Sequence, residues 1–256
     1  FNFDYEMPFS ATWHCEEGYG SLVLDMYKDI PVKLNTKVTE IDWGGAGVKV
    51  TTNNGVISAN KCIVTVSTGV LSSGQISFKP KLNPEKEESF NKISMGHYNR
   101  ITFKFKKLFK KKPKDYYLYY KIDSQNASSP EGFCTTIHPS DTKLCMCDPG
   151  GKFAFELAKS GEQESLNFAL NELKKIFGNK IEKDLIKSHS VDWSNNPLFL
   201  GSWAAAEPGA FKYREILRNS VGDRIYFAGE ATSKEWGTVA GAHNSGVLVA
   251  NKVINI

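Results

Sequence analysis

A strand, a carboxylate and a helix of small residues follow one another near the C-terminus of this 256-residue chain. Residues 225–228 form an apolar run that ends at Gly229-Glu230, which is typical of a buried strand stopping at a tight turn. The small residues that follow Thr238 have helical spacing and would let a large, flat group approach the backbone. Free N–H groups near Thr238 and Val239 would favour an electron-rich oxygen. This pattern predicts a cofactor crevice, with an ordinary strand–helix unit as the alternative.

Two other kinds of chemistry are weighed and disfavoured. A soft metal site could use Cys134, His138, Cys145 and Cys147, but their spacing matches no usual zinc pattern, so we predict no metal. A serine hydrolase would need a Gly-x-Ser-x-Gly elbow, and the chain has none. The five cysteines show no regular spacing, so we expect reduced thiols and a cytoplasmic location.

Composition predicts an ordinary globular protein, with 41% hydrophobic and 23% charged residues and a formal charge of +4. Lysines crowd residues 104–114 and alternate there with Phe103 and Phe105. A nucleic-acid or membrane surface is one interpretation, but the alternation favours a strand with solvent-facing lysines, so we expect neither partner. The chain opens on Phe1 without an initiator methionine, and we therefore expect a piece of a longer protein.

Periodicity divides the chain into a strand-rich beginning, a second sheet and a return to the C-terminal crevice. A helix should begin at Gly18 and stop before Pro31. Asn53-Asn54-Gly55 predicts a hairpin, and the charged residues 85–88 predict a solvated helix. Ser160 and Gln163 fit the capping box of a helix that Gly178 ends. The predicted strands are residues 32–34, 37–42, 48–52, 56–59 and 62–66, the last buried on both faces, then 101–105, 116–122, 133–137, 143–147, 153–157 and 188–193.

Four segments, taken in order, resemble the C-terminal half of the flavin-containing amine oxidases, the family of polyamine oxidases, monoamine oxidases, histone lysine demethylases and L-amino-acid oxidases. The resemblance covers nearly the whole sequence, although Ser67 stands where the family usually has proline. The family's Gly-x-Gly-x-x-Gly turn, which seats the FAD pyrophosphate, does not occur in this chain. The matching segments are residues 18–22, 34–41, 63–71 and 225–246.

The resemblance implies an α/β fold with part of an FAD-binding lobe built on a central sheet, from residues 1–79 and 201–256. An inserted α+β substrate lobe on a mixed sheet would occupy residues 80–200. It also implies oxidation of an amine C–N bond, with hydride transfer to flavin, hydrolysis of the imine and reduction of O2 to peroxide.

Site residues carry over from the same resemblance. Glu230 matches a carboxylate near the ribityl chain, with a solvated turn residue as the alternative. Thr238 and Val239 match the helix start at the pyrimidine edge of the flavin. Ser202 stands where monoamine oxidases have the cysteine that binds flavin covalently, so we expect non-covalent FAD. The expected FAD-binding residues are Val38, Thr65, Trp193, Gly229, Glu230, Thr238, Val239 and Ala242.

The expected catalytic residues are Arg100, Trp203 and Thr238. Arg100 replaces a lysine that holds a water beside the flavin; it could hold a water or grip a substrate carboxylate, and a solvent-facing arginine on an edge strand is the alternative. Trp203 matches one aromatic wall beside the amine, whereas Thr238 replaces the other. A polyamine or an amino acid is therefore the expected substrate.

Two rival functions remain open. A related flavin desaturase or isomerase is the first, and a non-catalytic fragment unable to hold FAD alone is the second. We expect the isolated chain to be inactive. An N-terminal partner segment, missing from this chain, would supply the pyrophosphate site.

Overall fold

The computed structural model of the chain describes residues 15, 17–108, 116–121 and 132–254, which form an α/β structure with several sheets. The helices are α1 Tyr19–Met26, α2 Thr68–Ser72, α3 Pro84–Lys92, α4 Gly151–Lys159, α5 Glu162–Phe177, α6 Tyr213–Arg218 and α7 Val239–Ile254. The strands are β1 Val38–Asp42, β2 Val48–Thr52, β3 Gly55–Ala59, β4 Cys62–Val64, β5 Ser77–Lys79, β6 Ile93–Gly96, β7 Arg100–Phe105, β8 Tyr116–Lys121, β9 Gly132–Ile137, β10 Leu144–Pro149, β11 Leu185–Val191, β12 Trp203–Ala206 and β13 Ile225–Phe227. None of these helices is long and apolar enough to cross a membrane.

The strand-rich beginning forms a four-stranded sheet in the order β3-β2-β1-β5. The predicted hairpin is confirmed, because β2 and β3 are antiparallel and Thr52 pairs with Gly55 across two asparagines. The predicted strand at 32–34 is wrong. Val32 and Leu34 are 68% and 77% exposed, and their alternation lies in an irregular segment that ends in a turn with Asn35 at a φ of 54°.

The C-terminal strand β13 pairs in parallel with β4, with Tyr226 opposite Ile63. All of β13 is buried, and Tyr226 and Val249 share a small core cluster between this strand and α7. The prediction that residues 62–66 are buried on both faces is wrong, since Ile63 is 39% and Val66 37% exposed. Among the described strands, β4 has β13 as its one neighbour. The apolar composition of a strand therefore does not by itself determine whether both of its faces are buried.

A five-stranded sheet has the order β11-β7-β10-β9-β8. Every pairing that the structure describes in it is antiparallel, so the predicted mixed sheet is wrong for these strands. The short connection Pro139–Asp141 reverses the chain between β9 and β10, which produces an antiparallel pair. Alternate residues of β7, among them Phe103 and Phe105, are buried in one cluster with Leu173 of α5.

The predicted strand at 153–157 is wrong, because these residues belong to α4. Lysine, alanine, glutamate and leucine predominate there and favour a helix, and the two buried alanines, Ala154 and Ala158, are four residues apart. The capping box is also wrong. Ser160 ends α4, its hydroxyl donates to the carbonyl of Leu157, and α5 begins after Gly161 without a side-chain cap. Gly178 ends α5 as predicted, at a φ of 83°.

The segment 82–95 packs with the first core. Leu82, Phe90 and Ile93 share a buried cluster with Phe227, and β6 pairs with β12. The buried residues change from this cluster to that of the five-stranded sheet by Ile101. The division of the chain at residues 80 and 200 stays a prediction.

Helix α3, predicted to be solvated, buries one lysine completely. Lys86 is 2% exposed, and its ammonium donates to the carbonyls of Ile216, Leu217 and Asn219 at 3.0, 2.6 and 2.6 Å. The same ammonium lies 3.8 Å from the centre of the Phe227 ring. These acceptors belong to the end of α6, where exposed carbonyls attract a cation, so Lys86 ties α3 to α6.

Burial lowers the pKa of Lys86 from 10.5 to about 7, which predicts a pH-dependent stability. Between these pH values the unfolded chain binds the proton more tightly, so the contribution of Lys86 to stability increases as pH rises. In urea unfolding, the free-energy difference between wild type and Lys86→Met should grow in favour of wild type from about pH 7 to about pH 9.5. Lys92→Met, at a side chain 40% exposed in the same helix, is the control. A difference independent of pH would exclude this titration.

Helix α7 depends on a glycine for its approach to the preceding loop. A Cβ on Gly241 would overlap the backbone carbonyl of Glu235, whereas a Cβ on Gly246, five residues along the same helix, would have no neighbour within 4 Å. The loop therefore comes close to the helix backbone at Gly241 but not at Gly246.

We expect Gly241→Ala to lower the free energy of unfolding by about 1–3 kcal/mol, because the helix or the loop must move. Gly246→Ala should raise it by about 0.5–1 kcal/mol through helix propensity. Urea unfolding of both variants measures the difference, and equal effects at the two positions would contradict the close approach.

Candidate active site

The parallel strands β4 and β13 end at a common edge. The amide of Ala228 donates to the carbonyl of Val64 at 3.0 Å, and the position of a Cβ on Gly229 is 3.8 Å from the carbonyl oxygen of Thr65. Gly229 has a φ of 125°, which favours glycine, and its amide donates to the hydroxyl of Ser245 on α7 at 3.1 Å. Two predicted cofactor residues, Thr65 and Gly229, therefore lie close together at the carboxyl ends of two parallel strands, the edge of an α/β sheet at which ligands commonly bind.

Glu230 lies beside this edge and links two segments of backbone. One carboxylate oxygen accepts a hydrogen bond from the amide of Ala204 on β12, and the other accepts from the amide of Gly237, both at 2.7 Å. The carboxylate is half-buried, so the alternative of a solvated turn residue is wrong. Because Gly237 precedes α7, Glu230 holds β12 next to the start of that helix.

Arg214 supports the same corner from inside. It is 2% exposed and donates to the carbonyls of Ala231 and Ala204 at 2.9 and 3.1 Å. Its guanidinium lies 4.9 Å from the centre of the Trp236 ring. Burial lowers the pKa of Arg214, and the charge of Glu230 opposes that effect.

The start of α7 is partly capped and partly open. The hydroxyl of Thr238 accepts from the amide of Gly241 at 2.9 Å and donates to the carbonyl of Glu235 at 2.7 Å. No residue in the described part of the chain accepts from the amides of Val239 and Ala240, and Val239 is 50% exposed. The predicted open helix start is present, with the Thr238 side chain as its cap rather than as a group free to bind.

Two further predicted cofactor residues lie apart from these donors. Ala242 is half-buried one turn into α7, where its amide donates to the carbonyl of Thr238 at 3.1 Å. Val38 begins β1, pairs with Thr52 and packs against the first core cluster. The structure gives Val38 no contact with the groups around Glu230.

Three aromatic rings lie together at the start of β12, with Tyr98 between Trp193 and Trp203. The rings of Tyr98 and Trp193 are 6.1 Å apart and nearly parallel, and those of Tyr98 and Trp203 are 5.1 Å apart and tilted by 53°. Ser202 holds the Tyr98 backbone, donating to its carbonyl at 2.7 Å and accepting from its amide at 3.0 Å. Trp203 also reaches the start of α7, since its indole Cδ1 is 3.8 Å from the position of a Cβ on Gly237. Tyr98, which was not predicted, thus joins the predicted residues Trp193, Ser202 and Trp203.

Arg100 lies beside Tyr98 and is held by a carboxylate that sequence reasoning missed. Its Nε donates to Asp148 Oδ1 at 2.9 Å and its Nη2 to Asp148 Oδ2 at 3.0 Å, while Nη2 also donates to the Tyr98 hydroxyl at 3.0 Å. The alternative is wrong in placing Arg100 on an edge strand, because β7 lies between β11 and β10, although the side chain is 41% exposed. The hydrogen bond to Asp148 raises the pKa of Arg100, and burial and Asp148 raise the pKa of Tyr98. Arg100 stays charged and Tyr98 stays protonated.

The four residues weighed as metal ligands do not converge. Cys145 and Cys147 are buried in the core of the five-stranded sheet, while Cys134 pairs with Asp148 on β10 and is half-buried. His138 follows β9 in the left-handed region, at a φ of 51°. No group of three or more metal-ligating side chains occurs in the described ranges.

Sequence reasoning missed Tyr98, Asp148 and Arg214. Tyr98 could have been found from its place two residues before Arg100. Asp148 is the last residue but one of β10 and meets Arg100 through the antiparallel pairing of β10 with β7, which the sequence does not reveal. Arg214 is an arginine in a short helix, and its complete burial has no local signal.

Comparisons with known proteins identify the family of the chain. A family profile described as flavin containing amine oxidoreductase matches residues 1–254. Polyamine oxidase 2 of Arabidopsis thaliana is 29% identical over 236 residues, which is 91% of this chain and 47% of that protein. Polyamine oxidase 3 of Oryza sativa subsp. japonica is 29% identical over 241 residues, with 92% and 48% covered.

A lysine-specific histone demethylase 1 homolog 2 of Oryza sativa subsp. japonica is 30% identical over 251 residues, which is 94% of this chain and 33% of that protein. The chain spans about half the length of the polyamine oxidases that it matches. The family profile, in contrast, covers the chain almost from end to end, and the resemblance found in the sequence is confirmed. This chain belongs to the family of flavin-containing amine oxidoreductases.

Proposed function

We propose that this chain forms the flavin-ring and substrate side of an FAD-dependent oxidase that acts on a polyamine or an amino acid. The observation that carries the proposal is the meeting of two features at Gly237 and Trp203. An open helix start with unpaired amides lies on one side, and a group of three aromatic rings lies on the other. This is the pairing that a flat, electron-accepting ring and a cationic amine require.

The residues around α7 fit a flavin. The free amides of Val239 and Ala240 stabilise negative charge at the pyrimidine edge of the ring system, and the small residues of α7 let the ring approach. The carboxylate of Glu230 uses one lone pair on each oxygen for the backbone, which leaves capacity for a ribityl hydroxyl. When bound, FAD supplies the redox chemistry by accepting a hydride and passing electrons to O2.

The aromatic group fits the amine. Trp203 and Tyr98 meet at an angle and form an apolar corner whose ring faces attract an alkylammonium group. Trp193 stacks behind Tyr98 and fixes that ring. Tyr98 therefore takes the place of the second aromatic wall that Thr238 cannot provide.

Two features of the sequence bear on how FAD is held. Ser202 has a hydroxyl and no thiol, and both of its hydrogen bonds go to Tyr98, so the flavin is bound without a covalent link. The 256 residues contain no Gly-x-Gly-x-x-Gly turn, so we place the pyrophosphate on a glycine-rich segment outside them. That segment would also extend the β4–β13 pair into the central sheet of an FAD-binding lobe, with residues 80–200 as the inserted substrate lobe.

Flavin titration followed by fluorescence tests the proposal. The chain alone should bind FAD no more tightly than riboflavin, because phosphate hydrogen bonds worth about 1.5–3 kcal/mol each are missing. With a family dinucleotide-binding segment added, FAD should bind, spermidine should bleach it without O2, and acid precipitation should release it into the supernatant. Bound flavin that no polyamine or amino acid reduces would refute the activity, and flavin retained in the pellet would refute the non-covalent link.

Glu230 gives a second test, independent of flavin. Glu230→Ala removes the acceptor of two amides, so we expect faster hydrogen exchange at Ala204 and Gly237 and a loss of about 3 kcal/mol in the free energy of unfolding. Glu235→Ala is the control, since that exposed carboxylate accepts from the side chain of Asn244. Unchanged exchange at Ala204 and Gly237 would show that the carboxylate does not hold the two segments together.

A further inference from the structure

Arg100 and Asp148 form a bidentate ion pair. Its two hydrogen bonds, at 2.9 and 3.0 Å, use the parallel Nε and Nη2 donors of the guanidinium, and only 9% of the Asp148 side chain is exposed. Two parallel bonds of this kind are strong and directional. Asp148 therefore occupies the Nε/Nη2 edge of Arg100, and the second N–H of Nη2 donates to the Tyr98 hydroxyl. The Arg100 side chain is 41% exposed, but neither of its edges keeps two unused parallel donors for a second carboxylate.

The residues opposite this ion pair on strands β11 and β9 are uncharged. The register places Val191 of β11 beside Arg100 and Cys134 of β9 beside Asp148, and neither residue supplies a compensating charge. One positive and one negative group thus stand together next to Tyr98, with a net charge close to zero. The Nη1 atom of Arg100 has no hydrogen-bond partner among the described residues, but its two N–H groups point in different directions, so it cannot form two parallel bonds with one carboxylate.

We propose that Asp148 is a specificity-determining residue of the amine site: by occupying and neutralising Arg100, it excludes substrates that carry a carboxylate near the reacting amine and admits those that carry only amines. The inference rests on the proposed function for the meaning of the pocket, and it narrows the substrate from a polyamine or an amino acid to a polyamine. It also revises the role of Arg100, whose carboxylate partner belongs to the protein itself.

The physical reason is the difference between one bond and two. An amino acid carboxylate would have to break the Asp148 pair or accept one bond from Nη1 while it faces the Asp148 charge. A cationic amine at the Tyr98–Trp203 corner meets no such competition, because Asp148 cancels the repulsion that an unpaired Arg100 would exert. Selectivity thus arises as much from what the pair repels as from what the aromatic rings attract.

Binding of two unreactive probes to the purified chain tests this without flavin. Trp193 and Trp203 flank Tyr98, so their fluorescence reports on binding at the corner. In wild type, n-propylammonium should quench saturably and propionate should not. In Asp148→Asn, propionate should bind, with at least a tenfold gain in affinity, and n-propylammonium should weaken.

Three variants keep the result interpretable. Arg100→Gln leaves Asp148 unpaired, so it should bind n-propylammonium at least tenfold more tightly and still refuse propionate. The double variant Arg100→Gln/Asp148→Asn should lose the gain for propionate. Glu207→Gln breaks the Lys92–Glu207 pair on another surface and should bind both probes as wild type does.

Steady-state kinetics of the flavin-loaded enzyme adds a second measurement. Asp148→Asn should change the ratio of kcat/KM for an amino acid over a polyamine by at least tenfold in favour of the amino acid. If no amine reduces the flavin in wild type, the proposed function fails while the probe experiment still decides the role of Asp148. If Asp148→Asn or Arg100→Gln folds and the preference between the two probes does not change, the proposal is overturned.

Discussion

The two short hydrogen bonds of Glu230 are the interaction on which the candidate site depends. They join the amide of Ala204, in the strand that carries Trp203, to the amide of Gly237, in the loop that starts α7. Without this acceptor, the amide of the buried Ala204 would have no partner, and the exposed Gly237 would no longer be tied to β12. With it, the aromatic group and the open helix start face each other at a fixed separation.

Three cations are then placed by the same principle, that a charge removed from water must find fixed partners. Lys86 meets three carbonyls at the end of α6, Arg214 meets two carbonyls beneath Glu230, and Arg100 meets a carboxylate. The three cations differ in the charge of their partners. Lys86 and Arg214 have neutral carbonyl partners, whereas Arg100 is paired with the carboxylate of Asp148, which offsets its charge beside Tyr98.

Sequence reasoning succeeded where a signal was local. The Asn53-Asn54-Gly55 hairpin, the end of α5 at Gly178 and the strand–turn–helix around Glu230 all depend on residues within a few positions of each other. It failed at residues 153–157, where a short apolar run without β-branched residues became a helix. It failed also at Cys62–Val66, because burial of a strand depends on its neighbours and not on its own composition.

The sequence by itself determined the family and the set of candidate residues, because motifs of a few residues, in a conserved family order, need no knowledge of contacts. It also determined that Ser202 offers a hydroxyl and that Arg100 is always charged. Tertiary structure decided the rest: that Glu230 joins two backbone segments, that the Tyr98 ring contacts Trp203, and that Asp148 pairs with Arg100. Each of these depends on strand order and register, which bring together residues that are distant in the chain and leave no local pattern in it.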